Sequence, residues 1–296
     1  MTTSGSTEAT TVLDVDDWND RRDRHRARVA SVIGPILDRR AAGVSHPVQD
    51  FLFTYYSYRP NQLRRWHPGY GYALTGSGAN DYLRYGGYVA DGDTVTVGPD
   101  MRDRRLPTVR FVRDLLRATA DRPANLGCFG LHEWAMVYRT DDDTIRHEQV
   151  PLRLGHDGTD EVVESMNLRC THYDAFRFFT DGAAHRNVLP LERSDQIERE
   201  QPGCLHAGMD LYKWAYKLAP LVDSDVIMDC FEHTLRAREL DMRASPYDLM
   251  DYGYEPIAIE TPAGRAEYVR RQTELADTSA VLRASLLERC RVLLDP

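Results

Sequence analysis

A mainly α-helical, multi-helix globular fold with at most a small accessory β-sheet is what this sequence predicts. Helical periodicity recurs in long stretches, at 15–41, 106–120, 201–217, 222–243 and 264–294. Glycine-bounded runs of Tyr and Val, the texture of short strands, are confined to 72–100 and the neighbourhood of 145–170. No linker and no internal repeat divides the chain. Residues 13–296 are therefore expected to form a single compact domain behind a disordered, small and polar tail at 1–12, with a glycine-rich subregion at 70–100.

Composition excludes several function classes. A hydrophobic content of 42% supports a sizeable core, but no run approaches the length of a membrane span, so no membrane partner is expected. A formal charge of −9 removes any whole-surface attraction to nucleic acid, and phosphate recognition must rest on a local patch. Five scattered cysteines without a CxxC pair, and an N-terminus with neither a basic nor an apolar leader segment, point to reduced thiols and a cytoplasmic location.

Taken in order, the helix at 15–41 buries Trp18, Val29, Val32, Ile33, Ile36 and Leu37, and Pro35 is expected to interrupt it after Ile33. Its arginine-rich 21–28 segment lies among aspartates and reads as a salt-bridged, solvated face. At 43–58 a helix start is expected, with Ser45 as cap, Pro47 in the first turn and Asp50 close behind. From Asp50 to Asp81 no acidic residue intervenes, and Arg59, Arg64 and Arg65 sit among Tyr55, Tyr56, Tyr58, Trp66, Tyr70 and Tyr72. Guanidinium groups pair with phosphate while flat rings stack on bases, so Tyr55, Tyr56, Arg64, Arg65 and Trp66 are candidate substrate-binding residues. The same cluster also suits a Tyr-rich loop packed over the core. The GSG at 76–78 lacks the spacing of a nucleotide fingerprint.

Three later stretches set ionisable groups into apolar sequence. His132 and Glu133 interrupt the run Leu131, Trp134, Ala135, and a buried Glu133 needs a partner or a cavity. With Met136 in place of a second histidine, this is not a zincin motif. Arg169, His172, Asp174 and Arg177 lie beside Phe176, Phe178 and Phe179, and a Thr171 cap would account for Asp174 in a first helical turn. After the Pro202-Gly203 break, His206, Asp210, Lys213 and Lys217 share one helical stripe, with Leu211, Trp214, Ala215 and Leu218 on the buried side. That stripe suits either an active site or an ordinary solvated face. Asp141–Asp143 are expected in an exposed acidic turn, and the Tyr- and Pro-rich 240–268 loop offers Arg243 as an anion contact beside Asp241 or Asp248.

Across HPVQDFLFTYYSYRP, LHEWAMVYR, RCTHYDAFRFFT, QPGCLHAGMDLYKWAYKL and LDMRASPYDL, over most of 46–270, the chain resembles a group of bacterial proteins labelled 3-methyladenine DNA glycosylase. The resemblance implies a hydrolase acting on a modified purine base, nucleotide or nucleic acid, with no cofactor. Pro202-Gly203 precedes Asp210 much as a hairpin does in the helix-hairpin-helix glycosylases, yet the full LPGxG pattern is missing. On this reading Asp210 stabilises oxocarbenium character or orients water, and His206, Lys213 and Glu133 supply proton or electrostatic help. The rings of Tyr55, Tyr56 and Trp66 stack a flipped base. A competing reading is an enzyme that acts on a small molecule through one or two divalent ions, iron, manganese or zinc, held by His132, His172 and Asp174 with His206 and Asp210. A third is a nucleotide- or RNA-binding module that uses only the Arg-Tyr region.

Overall fold

The computed structural model describes residues 10–140 and 150–295; the acidic turn expected at 141–143 lies outside them. Strand β1 (Thr11–Leu13) precedes α1 (Val15–Ala41). Two short helices, α2 (Phe51–Tyr55) and α3 (Pro60–Leu63), lead to β2 (Tyr72–Thr75), β3 (Tyr88–Asp91) and β4 (Thr94–Val97). There follow α4 (Pro99–Ala120), α5 (Leu131–Ala135), α6 (Gly155–Ser165), α7 (Tyr173–Phe176), α8 (Asp181–Ala184), α9 (Gln196–Arg199), α10 (Leu205–Lys217), α11 (Ser224–Arg243) and α12 (Pro262–Leu294). The fold is mainly helical with one small sheet, as its sequence predicts, and no helix among the described residues is long and apolar enough to cross a membrane.

Several local expectations are corrected. Thr11 and Val12 belong to β1 rather than to a tail. The strand adds in parallel to β2, pairing Leu13 with Leu74, and the Thr75 hydroxyl donates to the Leu13 carbonyl at 3.1 Å. Three strands arise within 72–97, in sheet order β1-β2-β4-β3. Around 155–165, where strand texture was expected, α6 forms because Thr159, Val162 and Val163 bury together at helical spacing. Helix α1 continues through Pro35; losing one backbone hydrogen bond is outweighed by the burial of Val29, Ile33 and Ile36 on both sides of it. Asp50 does not open a long helix. It accepts from the His46 amide and pairs with Arg39, and α2 ends at Tyr55.

The arginine-rich face of α1 is laced with ion pairs as anticipated, Arg21 to Asp17 and Arg28 to Asp229 and Glu232 among them. His25 of the same segment is buried, its Nε2 2.8 Å from the Leu63 carbonyl.

Helix α10 lies at the centre and packs against both α11 and α12. Gly208 permits the approach: a Cβ there would stand 2.5 Å from the Ser279 hydroxyl of α12 and 3.1 Å from His233 Nε2 of α11. Those two groups are themselves hydrogen-bonded at 2.8 Å. Capping fixes the flanking helices, since the Asp223 carboxylate accepts from the Val226 amide and the Thr261 hydroxyl from the Gly264 amide.

Candidate functional site

The polar stripe of α10 faces the interior. Every residue from Leu205 to Tyr212 is buried, Lys213 is half-buried and only Lys217 is exposed, so the solvated-face reading does not hold. Asp210 is 2% exposed and has partners on both oxygens. Lys213 Nζ donates to Oδ2 at 2.7 Å and the Tyr56 hydroxyl to Oδ1 at 3.4 Å. His172 Nε2 stands 3.3 Å from Asp210 Oδ2 and 3.5 Å from Glu200 Oε1, close enough for ion pairing but without an aligned hydrogen bond. Burial alone would raise the Asp210 carboxyl; the Lys213 ammonium and His172 outweigh it and hold the group well below the usual carboxylate range. Burial likewise opposes the charge on Lys213, yet Asp210 and Asp174 raise it, so the ammonium persists at neutral pH.

Asp174 brings this network to the surface. Its Oδ2 accepts from Lys213 at 2.9 Å and its Oδ1 from Arg193 at 3.2 Å, while Arg177 lies 3.3 Å away. His172, not Thr171, precedes α7, and no side-chain cap forms there, so Asp174 is held by cations rather than by a helix start. Burial pushes its carboxyl up, Lys213 pulls it down further, and the group ends below its ordinary value.

A second network lies on the other side of His206. His132 Nε2 is 2.7 Å from Asp241 Oδ1, and Arg238 donates to Asp241 at 2.9 Å and to Glu133 at 2.6 Å. All four side chains are buried, and the guanidinium also stacks 4.0 Å from the Phe51 ring centroid. Burial would lower His132, but Asp241 raises it well above the usual imidazole range. The His206 ring adjoins both networks, 4.4 Å from the His132 ring and 5.3 Å from that of His172. Burial and then the neighbouring His132 keep it neutral, far below its ordinary value. Strained backbone flanks α5, the helix that carries His132 and Glu133: Phe129 at φ 51 and Arg139 at φ 54 both adopt the left-handed region.

Over Asp174 and Lys213 opens a cleft of about 600 Å³ walled by Phe51, Tyr55, Tyr56, Arg193 and Lys217. Phe51 and Tyr55 stack at 4.9 Å between centroids, and Tyr55 meets Tyr56 edge-on. Beneath it, Glu133 and His206 line only a void of about 20 Å³, room for one water molecule. The structure thus brings Tyr55, Tyr56, Asp174, Lys213 and, behind them, Asp210 and His172 together. It separates others. Trp66 is buried in the core edge-on to Tyr82 and does not line this cleft, so it cannot stack a base there. Arg64 is exposed and Arg65 lies on the Tyr85 ring, and neither lines this cleft. Arg243 donates to the Glu255 carbonyl and pairs with Glu239 on α11, away from the cleft.

Among the described residues two triplets offer metal-ligand atoms within 4.8 Å of one another, His132-His206-Asp241 and His172-Glu200-Asp210. The metal set expected from sequence is therefore divided, and Asp174 belongs to neither triplet. Within each triplet a protein cation already faces the carboxylate, Arg238 at Asp241 and Lys213 at Asp210.

Glu200 and Arg238, which the sequence reading does not mark as site residues, complete these networks with Asp241, which was expected beside Arg243 and instead meets His132 and Arg238. A signal for the latter two existed: Arg238 and Asp241 follow Phe231 and Thr234 by seven residues, which places both on the buried side of α11. Glu200 sits in a charged connector with no periodicity to mark it.

No protein family, no curated protein and no solved structure matches this chain.

Proposed function

We propose that the chain is a glycosylase-like hydrolase that takes a planar purine base or nucleotide into the cleft over Asp174 and Lys213. The observation that carries this reading is a carboxylate on the wall of a ligand-sized cleft beside Tyr55, with more cations than acids around it. A flat base stacks on Tyr55. Asp174 stands where positive charge develops on the sugar, and Lys213 and Arg193 lie where negative charge builds on the departing base. Asp210, withdrawn behind Lys213, is a positioning residue: together with Asp174 it fixes the ammonium. His206 and Glu133, below the cleft floor, support its shape. The resemblance to the glycosylase-labelled group supports the same reaction class.

Incubation with alkylated duplex DNA, and separately with purine nucleotides, is expected to release free base detectable by chromatography, and Asp174→Asn is expected to abolish release. Wild-type protein that frees no base from either substrate above the uncatalysed rate overturns the proposal.

A metal-dependent reaction is the second reading, favoured by the fact that neither ring nitrogen of buried His172 has a hydrogen-bond partner among the described residues while two carboxylates face it. Elemental analysis of untagged protein without stoichiometric iron, manganese or zinc would remove it.

A further inference from the structure

Beside the cleft, and sharing Ser57, Tyr216 and Lys217 with it, lies a second cavity of about 290 Å³. Among the described residues no acidic side chain lines it. Three cations do: Arg65 from the segment after α3, Arg105 from α4 and Lys217 from the end of α10. This is unusual ground in a chain of charge −9. Elsewhere on the surface arginines commonly sit against carboxylates, as Arg21, Arg28 and Arg289 do. Arg105 is half-buried and makes neither an ion pair nor a hydrogen bond among the described residues. Arg65 and Lys217 rest on the rings of Tyr85 and Trp214, at 4.9 and 5.2 Å from the centroids, which orients them without neutralising them.

The wall opposite is aromatic. Tyr58 and Tyr216 stack at 5.0 Å with an interplanar angle of 15°, and the Ser57 hydroxyl lies 3.4 Å from the Tyr216 hydroxyl. His67 closes the back, its Nδ1 3.0 Å from the Tyr88 hydroxyl. Burial, then Arg65, hold that imidazole at about 4, so it is neutral at physiological pH and offers a hydrogen bond without a charge. Gly86 leaves one rim open, since nothing stands within 4 Å of where its Cβ would be.

Two guanidinium groups and an ammonium that line one cavity without a carboxylate among its described lining suit a tetrahedral dianion better than a planar carboxylate. The volume is at the low end for a ligand pocket and suits a sugar-phosphate rather than a second whole ligand. We infer that this cavity is the phosphate subsite of the neighbouring cleft, and that the substrate is a phosphorylated nucleotide unit rather than a free base or nucleoside. The inference rests on the reading of the cleft as the seat of a planar base. The phosphate belongs to a mononucleotide or to a strand, and the chemistry of its recognition is the same in both.

Calorimetric titration with adenosine, adenosine 5′-monophosphate and a short single-stranded DNA oligomer tests it on wild type, Arg105→Ala, Arg65→Ala and the exposed control Arg104→Ala. The monophosphate is expected to bind at least ~10-fold more tightly than adenosine, with salt weakening only the phosphorylated ligands. Arg105→Ala and Arg65→Ala should each remove most of that advantage and leave adenosine binding unchanged, and Arg104→Ala should resemble wild type. An oligomer that binds tighter than the monophosphate with the same Arg105 dependence places the phosphate in a strand, and one that binds no tighter places it in a mononucleotide. Equal affinity for adenosine and its monophosphate, binding of neither, or a preference indifferent to Arg105, overturns the inference. Arg105-dependent binding without base release from any ligand would sink the hydrolytic reading and leave the subsite standing.

Discussion

The two networks on either side of His206 contain nearly the same chemistry and differ in access. Each has a histidine raised by acidic neighbours, two carboxylates within reach of one cation, and a place on the central helices α10 and α11. The His132-Asp241-Arg238-Glu133 set is sealed, with only a water-sized void beside it. The Asp210-Lys213-Asp174 set emerges into a cleft of about 600 Å³. Charge density and shifted protonation are thus common to both and do not by themselves mark a site. What distinguishes the second is a carboxylate and an ammonium that solvent and ligand can reach. The sealed set acts on the site indirectly, by clamping α5 to α11 beneath Phe51.

Removing one partner from each set should separate these roles. Arg238→Ala leaves Glu133 buried without a cation and Asp241 with His132 alone, and about 3–5 kcal/mol of stability should be lost in urea unfolding. An equal loss in Lys213→Ala would erase the distinction. Lys213→Ala is expected to cost less stability, about 1–3 kcal/mol, because Arg177 and Arg193 remain at Asp174 and His172 at Asp210, and to lower base release by roughly 100-fold or more. For Asp174→Asn, which leaves Lys213 paired with Asp210 and returns the exposed Arg177 and Arg193 to solvent, a stability change within about 1 kcal/mol should accompany the loss of hydrolysis. If the variant keeps its activity, the carboxylate at work is another.

Acid should sharpen the comparison by a smaller margin. Asp210, Asp174 and Asp241 all have lowered folded values, so their stabilisation is present above the unfolded carboxylate range near ~4 and is lost as pH falls through the folded values. His206 is lowered too. The unfolded chain takes up a proton there as pH drops through ~6.5 while the folded chain does not, so stability begins to decline from that point. His132 and His172, both raised, act at higher pH: their stabilisation is fully present below ~6.5 and is lost as pH rises through their folded values, so they leave the decline below ~6.5 untouched. In His206→Gln the decline between about pH 6.5 and 4 should shrink, by no more than ~1.4 kcal/mol per pH unit. An unchanged slope in urea midpoints at pH 7 and 5 would show that His206 shares its neighbours' protonation.

What the sequence by itself determined is the helical class and the local groupings. Periodicity is short-range: the stripe of His206, Asp210 and Lys213 follows from 3.6 residues per turn. The Tyr55-Tyr56 pair beside the site could likewise be read from composition. Tertiary structure alone decided which way the α10 stripe faces, because a helix packed on several sides has no solvent side for a pattern to mark. It also decided that His132 meets Asp241 across 109 residues and Lys213 meets Asp174 across 39. Trp66 and Arg65, adjacent in sequence, were sent to the core and to a cation-lined cavity respectively. Burial of a charge becomes affordable only through a partner that the fold supplies, and that partner is set by long-range packing rather than by neighbours along the chain.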